Sequence, residues 1–207
     1  MKIVFDFGGV LFRWHPPSFL ARVWPHRVPD VDAGAEVAKQ FFQHYGGDWG
    51  AFDQGLIDAD AVVDRIASRT GWPREDVRGV VEAVPDELQL LPDTVALIEE
   101  LKGAGHRLYF LSNMPEPYAD HLERSHPLHE WFDGGVFSGR VKRSKPSVEA
   151  FQCAARQFGA QPHELVLLDD LPANIAAARS QGWQGIEFST AGAVRPALMA
   201  LLQSGRS

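Results

Sequence analysis

Polar side chains suited to phosphate and metal chemistry follow the apolar runs of this sequence. Where short hydrophobic runs end, the chain carries an acid, a hydroxyl beside an amide, a lysine and a pair of acids: Asp6, Ser112, Asn113, Lys145, Asp169 and Asp170. Ligands of parallel sheets gather where the strands end at their carboxyl edge, so we expect these side chains to converge there. Phosphoryl transfer to a carboxylate requires such a set: a nucleophile, donors and a cation for the phosphoryl oxygens, and acids that hold Mg²⁺.

The apolar runs themselves predict the strands that carry these side chains. They lie at residues 3–5, 108–111, 136–137 and 165–168, with a weaker run at 186–188. Their apolarity is continuous instead of alternating, which indicates strands covered on both faces. This pattern is typical of a parallel sheet between two layers of helices.

Helical patterns separate the later strands. One helix is predicted to begin at Pro92, another at Pro146, and a third to cover residues 172–182. Strand and helix thus alternate, which favours an α/β fold with a Rossmann-like parallel sheet and right-handed crossovers.

The segment between the first strand and Pro92 does not alternate and predicts helices alone, at residues 35–45, 58–70 and 73–84. Asp58 is a candidate N-cap for the second of these helices. We therefore predict a helical cap at residues 15–89, inserted into an α/β core made of residues 1–14 and 90–207.

Composition narrows the classes of partner. The 207 residues carry a formal net charge of -7 and no run rich in lysine or arginine, so the sequence lacks the basic footprint of a nucleic-acid binder. No apolar run approaches the ~20 residues that cross a bilayer. The single cysteine, Cys153, agrees with a reducing compartment. We expect a cytoplasmic monomer or homodimer that acts on a small phosphorylated metabolite, without nucleic-acid or membrane partners.

Four motifs in order resemble those of the haloacid-dehalogenase-like (HAD) hydrolase superfamily, subfamily IA with a helical C1 cap. They are VFDFGGVL at residues 4–11, LSN at 111–113, SKP at 144–146, and LLDD at 167–170 with Asn174 and Gly182 beyond it. Each motif alone is weak, but four in order, each after a predicted strand, are specific. The resemblance implies the HAD fold and an Mg²⁺-dependent phosphatase that forms an aspartyl-phosphate.

Residue roles follow from the same resemblance. It implies that Asp6 is the nucleophile and also a ligand of Mg²⁺. The other implied metal ligands are the backbone carbonyl of Gly8 and the carboxylates of Asp170 and Asp169, with support from Asn174.

The resemblance also implies which residues hold the phosphate. They are Ser112, Asn113, Lys145 and Gly9, of which Ser112 and Lys145 are also expected to take part in catalysis by stabilising phosphoryl charge.

One position departs from the family pattern. HAD phosphatases usually carry a second aspartate two residues after the nucleophile, which protonates the leaving group, and this chain has Gly8 there. A branch resembling sugar-1-phosphate (glucose-1-phosphate) phosphatases shares this glycine, so we expect a sugar phosphate as substrate. Without an assigned acid, weakly basic leaving groups should be preferred.

Several alternatives remain open at this point. Ser112 and Asn113 could cap the following helix, and Lys145 could belong to a solvated basic strip with Arg140, Lys142 and Arg143. At the level of function, the rivals are an L-2-haloacid dehalogenase, which needs no Mg²⁺, and a catalytically weak phosphate-binding regulatory protein.

Overall fold

The computed structural model describes residues 1–204 and contains a five-stranded, fully parallel sheet. The spatial order of the strands is β3-β2-β1-β4-β5. In chain order the strands are β1 (Lys2–Phe5), β2 (Leu108–Ser112), β3 (Gly134–Phe137), β4 (Leu165–Asp169) and β5 (Gln184–Glu187). The α/β parallel sheet predicted from the apolar runs is confirmed. Because β1 lies at the centre, Asp6 leaves the sheet between the ends of β2 and β4.

Helices fill every connection between the strands. The insertion after β1 contains α1 (Pro16–Val23), α2 (Val31–Phe42), a short 3-10 turn (Gln43–Tyr45), α3 (Gly47–Asp53), α4 (Ala59–Thr70) and α5 (Arg74–Glu87). The remaining helices are α6 (Pro92–Gly103), α7 (Glu116–Ser125), α8 (Leu128–Trp131), α9 (Ser138–Val141), α10 (Val148–Gln157), α11 (Pro172–Ser180) and α12 (Ala191–Ser204).

The sheet is buried on both faces, as its continuous apolarity predicts. Side chains of a strand point alternately to its two faces, so Ile3 and Phe5 enter one core while Val4 enters the other. The first core also contains the apolar side chains of α6, α7 and α12, and it continues into the helical insertion. The second core lies under α10 and α11. This packing fixes the strand ends that carry the polar residues.

Two antiparallel chain segments connect the insertion to the sheet. Phe12 pairs with Leu90, and the amides of Arg13 and Leu91 donate to the carbonyls of Gln89 and Leu11 at 2.8 and 2.9 Å. The predicted domain boundaries, at 14/15 and 89/90, fall at this crossing. The division into cap and core stays a prediction, and residues 205–207 of the predicted core lie outside the described residues.

The structure corrects some local predictions. The helix predicted to begin at Pro146 begins at Val148, with Ser147 as its N-cap, and Val148 is exposed. Two helices of the insertion, α1 and α3, were not predicted. The prediction of Asp58 as an N-cap is confirmed, because its carboxylate accepts from the amide of Ala61 at 2.8 Å.

Within residues 1–204, no helix is both long and apolar enough to cross a membrane.

Candidate active site

Asp6 lies at the end of the central strand and is 7% exposed. Its Oδ1 accepts a hydrogen bond from the amide of Phe7 at 2.7 Å and lies 2.9 Å from the Nζ of Lys145. Burial raises the pKa of Asp6 to about 8; the charge of Lys145 opposes this shift, and the nearby Asp169 and Asp170 add to it. The carboxylate is thus oriented by two donors but lacks full charge compensation.

Lys145 is held between two carboxylates. Its Nζ lies 2.9 Å from Asp6 Oδ1 and 2.6 Å from Asp169 Oδ2, and the residue is 3% exposed. Burial alone lowers the pKa of this lysine, but the charges and hydrogen bonds of Asp169 and Asp6 outweigh burial and leave the pKa raised. Lys145 therefore stays a cation in the site, and it is not a member of a solvated basic strip.

Asp169 has its hydrogen-bonding capacity largely used inside the protein. Besides Lys145, it accepts from Asn174 Nδ2 at 2.9 and 3.1 Å and from the amide of Leu171 at 3.0 Å, and it is fully buried. This arrangement positions the lysine, and it explains Asn174 as a partner of the acid.

The three acids form a cluster that suits a hard cation. Carboxylate oxygens of Asp6, Asp169 and Asp170 lie within 4.8 Å of one another. Burial and the charge of Asp169 raise the pKa of Asp170 to about 6. Within residues 1–204, these three acids share one ammonium, that of Lys145. When they are ionised the site therefore carries an excess of negative charge, which Mg²⁺, with its preference for oxygen ligands, would neutralise. The donor set therefore fits the metal that the sequence predicts.

Gly9 allows Asp170 to approach the turn after β1. Its φ is +74°, and a Cβ at this position would lie 2.4 Å from Asp170 Oδ2. Any side chain would therefore collide with the acid. The structure therefore gives Gly9 a steric role. Its amide is occupied by a hydrogen bond to the carbonyl of Phe12 at 2.8 Å. Its predicted contact with phosphate stays a prediction.

Ser112 carries the signal expected of a ligand-binding hydroxyl. It is buried at the end of β2, and within the described residues its Oγ has no hydrogen-bond partner. A buried hydroxyl without a partner is costly, and a phosphate oxygen would supply the missing bond. Ser112 does not cap α7, whose N-cap is Pro115 without a side-chain hydrogen bond.

Asn113 fastens the loop that carries Lys145. Its Nδ2 donates to the carbonyl of Lys145 and its Oδ1 accepts from the amide of Lys145, both at 2.8 Å. This pair of bonds joins the end of β2 to the lysine loop. The side chain thus positions Lys145, and the predicted phosphate contact of Asn113 stays a prediction.

A family model for the haloacid dehalogenase-like hydrolases matches residues 3–182, which includes all the residues described above. The chain belongs to the haloacid dehalogenase-like hydrolases. The resemblance drawn from the four motifs and the prediction of a hydrolase are both confirmed.

Curated relatives of this HAD hydrolase include phosphatases of two kinds. The chain is 27% identical over 186 residues to a sesquiterpene phosphatase of Aspergillus oryzae, covering 90% of this chain and 88% of the relative. It is 23% identical over 193 residues to a phosphorylated carbohydrates phosphatase of Thermotoga maritima, covering 89% and 82%.

Solved structures of other HAD proteins share the fold. A HAD family enzyme of Bacteroides thetaiotaomicron, in complex with magnesium and inorganic phosphate, has a TM-score of 0.66 at 19% identity over 90% of this chain and 92% of its own. An L-2-haloacid dehalogenase of Xanthobacter autotrophicus has the same TM-score and identity, over 90% and 76%. At these identities the likeness concerns the fold alone.

Side chains from the insertion and from nearby core loops line the cavity beside Asp6 and Lys145. Besides the carboxyl group of Asp53, and the amides of Asn113 and Asn174, which bond to Lys145 and Asp169, they are aromatic or apolar: Trp14, Tyr45, Trp49, Val84, Leu88, Met114, Pro115, Tyr118 and Leu171. The Tyr118 hydroxyl donates a hydrogen bond to the carbonyl of Val81 at 2.7 Å, and the Tyr45 hydroxyl accepts one from Trp14 Nε1 at 3.1 Å. The wall is therefore mainly apolar.

The carboxyl group on this wall belongs to Asp53, a residue that sequence reasoning missed. Asp53 is the last residue of α3 and is 5% exposed. It follows no strand and belongs to none of the four motifs, so nothing in the sequence marked it. The signal is a buried carboxyl group that borders a cavity, and it is visible only in three dimensions.

Proposed function

We propose that this HAD hydrolase is an Mg²⁺-dependent phosphatase that cleaves a small phosphate monoester through an aspartyl-phosphate on Asp6. The observation that carries the proposal is the pairing of a buried nucleophile with a buried cation, Asp6 Oδ1 to Lys145 Nζ at 2.9 Å, beside the unpartnered Ser112 Oγ. An acid, a lysine and a free hydroxyl at one sheet edge suit the binding and transfer of a phosphoryl group.

The residues divide the work of transfer between them. Phe7 and Lys145 both engage Oδ1 of Asp6, so we assign attack on phosphorus to Oδ2. Lys145 lies where it would stabilise charge on the phosphoryl oxygens, and Ser112 Oγ would donate a hydrogen bond to one of them. Asp6, the Gly8 carbonyl and Asp170 would hold Mg²⁺, which supplies further charge neutralisation. Asp169 stands beside these ligands and is occupied mainly with Lys145.

The substrate is a small phosphorylated metabolite, and the cavity wall would contact the organic group that is esterified to the phosphate. The sequence favours a sugar phosphate, and one relative acts on phosphorylated carbohydrates. The wall, however, offers a sugar few polar partners beyond Asp53 and the polar atoms of its aromatic residues, because the amides of Asn113 and Asn174 are engaged by Lys145 and Asp169. It suits an apolar group, which agrees with a relative named for a sesquiterpene substrate. We therefore propose a monoester with an apolar organic group ahead of a sugar phosphate.

Two measurements test the phosphatase proposal. Phosphate release from p-nitrophenyl phosphate and from alkyl phosphates should stop with EDTA and return with Mg²⁺. Asp6→Asn should lower turnover by roughly 10⁴-fold or more, because it removes the nucleophile. The variant should keep the fold and still bind inorganic phosphate.

Each rival function has its own outcome in these assays. Halide release from 2-haloacids that is indifferent to EDTA would replace the proposal with a dehalogenase. Phosphate binding without turnover of any monoester would instead leave a regulatory phosphate-binding protein.

A further inference from the structure

The position beside the nucleophile where most HAD phosphatases carry their acid is Gly8 in this protein, which has no side chain that could donate a proton. A Cβ at Gly8 would touch the Cβ, Cγ and Cδ1 atoms of Trp14, all at 3.5 Å. These are ordinary van der Waals distances, so the indole lies against Gly8 without excluding a Cβ there. The indole Nε1 donates to Tyr45 Oη at 3.1 Å. A proton for the leaving group must come from another part of the cavity.

Asp53 borders this cavity together with Asp6, Lys145 and Asp170. Asp6 and Asp170 follow the strands at the sheet edge, whereas Asp53 comes from α3 in the insertion. It is thus the carboxyl group that the insertion places on the wall. In-line attack by Asp6 sends the leaving group away from the sheet edge, and a group on the insertion side is suited to meet it.

The main chain around Asp53 is fastened to the core of the protein. Ser138 Oγ donates to the Asp53 carbonyl, Gln54 Nε2 donates to Ser144 Oγ at 2.9 Å, and Lys142 Nζ donates to the carbonyl of Gly55 at 2.8 Å. Three consecutive residues at the end of α3 are thereby tied to the segment between β3 and the lysine loop. The bonds fix the end of α3, and with it the carboxyl group, relative to the phosphate site.

The surroundings of Asp53 favour its protonated form. Burial raises the pKa of Asp53 well above its ordinary value, and the charge of Asp6 raises it further. Tyr45 and Tyr118, two further titratable neighbours on other elements, are uncharged at neutral pH like any tyrosine, and burial raises their pKa values further. Asp53 lies at the C-terminal end of α3, where the helix dipole disfavours an added negative charge. A protonated carboxyl group is a hydrogen-bond donor.

We propose that Asp53 is the general acid and base of the reaction, in place of the aspartate that Gly8 replaces. The role rests on the proposed phosphatase function. As Asp6 Oδ2 bonds to phosphorus, the bond between phosphorus and the ester oxygen breaks. The ester oxygen keeps the electron pair of that bond and accepts the proton of the Asp53 carboxyl group. The carboxylate of Asp53 then removes a proton from the water that attacks the aspartyl-phosphate. This second step releases phosphate, restores the Asp6 carboxylate and leaves Asp53 protonated again.

The experiment is a leaving-group series on Asp53→Asn and the native protein, with aryl and alkyl phosphates at saturating Mg²⁺. A positioned acid typically contributes ~10²–10⁴-fold, and most for basic leaving groups. The native rate should depend weakly on leaving-group pKa, and the dependence should become steep in Asp53→Asn. Alkyl phosphates should lose about 10²-fold or more in rate, whereas cleavage of p-nitrophenyl phosphate in the first turnover should change by only a few-fold.

Rapid mixing supplies a second readout, because the same residue is assigned to the water step. Asp53→Asn should release one equivalent of p-nitrophenolate per site in a burst and then turn over slowly, as the aspartyl-phosphate accumulates. A full burst also shows that the variant is folded. Asp53→Glu, which keeps a carboxyl group, should retain more turnover of alkyl phosphates than Asp53→Asn.

The matched control is Asp32→Asn, which removes an exposed carboxylate of α2 in the same insertion and should behave as the native protein. Equal leaving-group slopes in the native protein and Asp53→Asn, or no burst in a variant that still turns over, would overturn the role of Asp53 and leave the phosphatase intact. Failure of the native protein to hydrolyse any monoester would refute the phosphatase function, and Asp53 with it.

Discussion

The sheet edge and the cavity wall handle polar groups in opposite ways. At the edge, charged groups are close together and held by several bonds each, as Lys145 is by two carboxylates and Asp169 by three donors. On the wall, one carboxyl group stands among aromatic and apolar side chains. In the proposed function, the edge fixes the position of the phosphoryl group. A wall of this kind selects the rest of the molecule by its apolar surface.

The difference also explains why the two regions were unequally visible in the sequence. The edge residues follow apolar runs and fall into short motifs, so their convergence could be predicted from residue order alone. The wall is assembled from residues spread between Trp14 and Leu171. Periodicity assigns such side chains to a core, and it cannot show which of them border a cavity.

Among the variants that test this comparison, the largest effect is expected at the edge. Lys145→Ala should lower turnover by roughly 10²–10³-fold, because it removes the cation from the developing phosphoryl charge. It should also destabilise the metal-free protein by about 3–5 kcal/mol, since Asp6 and Asp169 lose their buried partner. Steady-state kinetics and urea denaturation measure the two losses. Lys39→Ala, an exposed lysine of α2, is the control. Native turnover in Lys145→Ala would mean that the edge does not work as proposed.

Lys142 should give a smaller effect than Lys145. From the sequence alone it belongs to the same basic stretch, but its Nζ donates to the carbonyls of Gly55 and Gly139 at 2.8 and 2.7 Å. Lys142→Ala should therefore loosen the end of α3 and lower kcat for alkyl phosphates by about tenfold, with little change for p-nitrophenyl phosphate, whose leaving group needs no acid. Equal losses on both substrates would separate Lys142 from the placement of Asp53.

The wall should be visible in the dependence of kcat/KM on alkyl chain length. Each buried CH₂ is worth about 0.8 kcal/mol, so kcat/KM should rise up to about fourfold per carbon while the chain still contacts the wall. Val84→Thr, which places a hydroxyl on the wall without a change of size, should weaken this rise. Val77→Thr is the matched control, because Val77 is buried on the same helix but does not line the cavity. A flat series, with glucose phosphates preferred, would favour the sugar phosphate instead.

Sequence reasoning predicted much of the fold, and its misses have local physical causes. β3 extends two residues before the predicted run because it begins with Gly134 and Gly135. A Cβ at Gly135 would lie 2.1 Å from atoms of the Phe110 ring, so packing requires glycine where periodicity expects an apolar residue. Propensity and packing conflict at that position, and packing decides.

The same conflict hid α3, and with it Asp53. Gly47 and Gly50 lower the helix propensity of this seven-residue segment. The structure requires both: Gly47 has a φ of +50°, and a Cβ at Gly50 would lie 2.6 Å from the Tyr45 carbonyl oxygen. Tyr45 itself ends three consecutive left-handed residues, at φ values of 48°, 52° and 63°. Such backbone conformations are strained and are concentrated at functional sites. No sequence pattern predicts them here.

The smallest predicted effect concerns the carboxyl group of Asp53 on the wall and is measured through the pH dependence of stability. The pKa of Asp53 is higher in the folded protein than in the unfolded chain, where it is about 3.9. Between these two values the folded state binds more protons than the unfolded state, so the free energy of unfolding must fall as pH rises. Below about pH 4 Asp53 is protonated in both states, and the protonated group makes its full contribution to stability. Between pH 4 and the pKa of the folded state this contribution decreases, by as much as about 1.4 kcal/mol per pH unit. Asp53→Asn removes the titrating group. It should therefore be more stable than the native protein at neutral pH, with an advantage that shrinks on acidification.

Asp6 faces the same cavity and contributes to the shift, so the pair should be measured with and without Asp6→Asn. Urea denaturation from pH 4 to pH 8, without metal, gives the difference in free energy between Asp6→Asn and the double variant Asp6→Asn with Asp53→Asn. Because burial is the larger cause, a pH-dependent advantage should persist in this background, with a smaller size. If the difference does not vary with pH, Asp53 is ionised in the folded protein, and a carboxylate on this wall would have no proton to give to a leaving group.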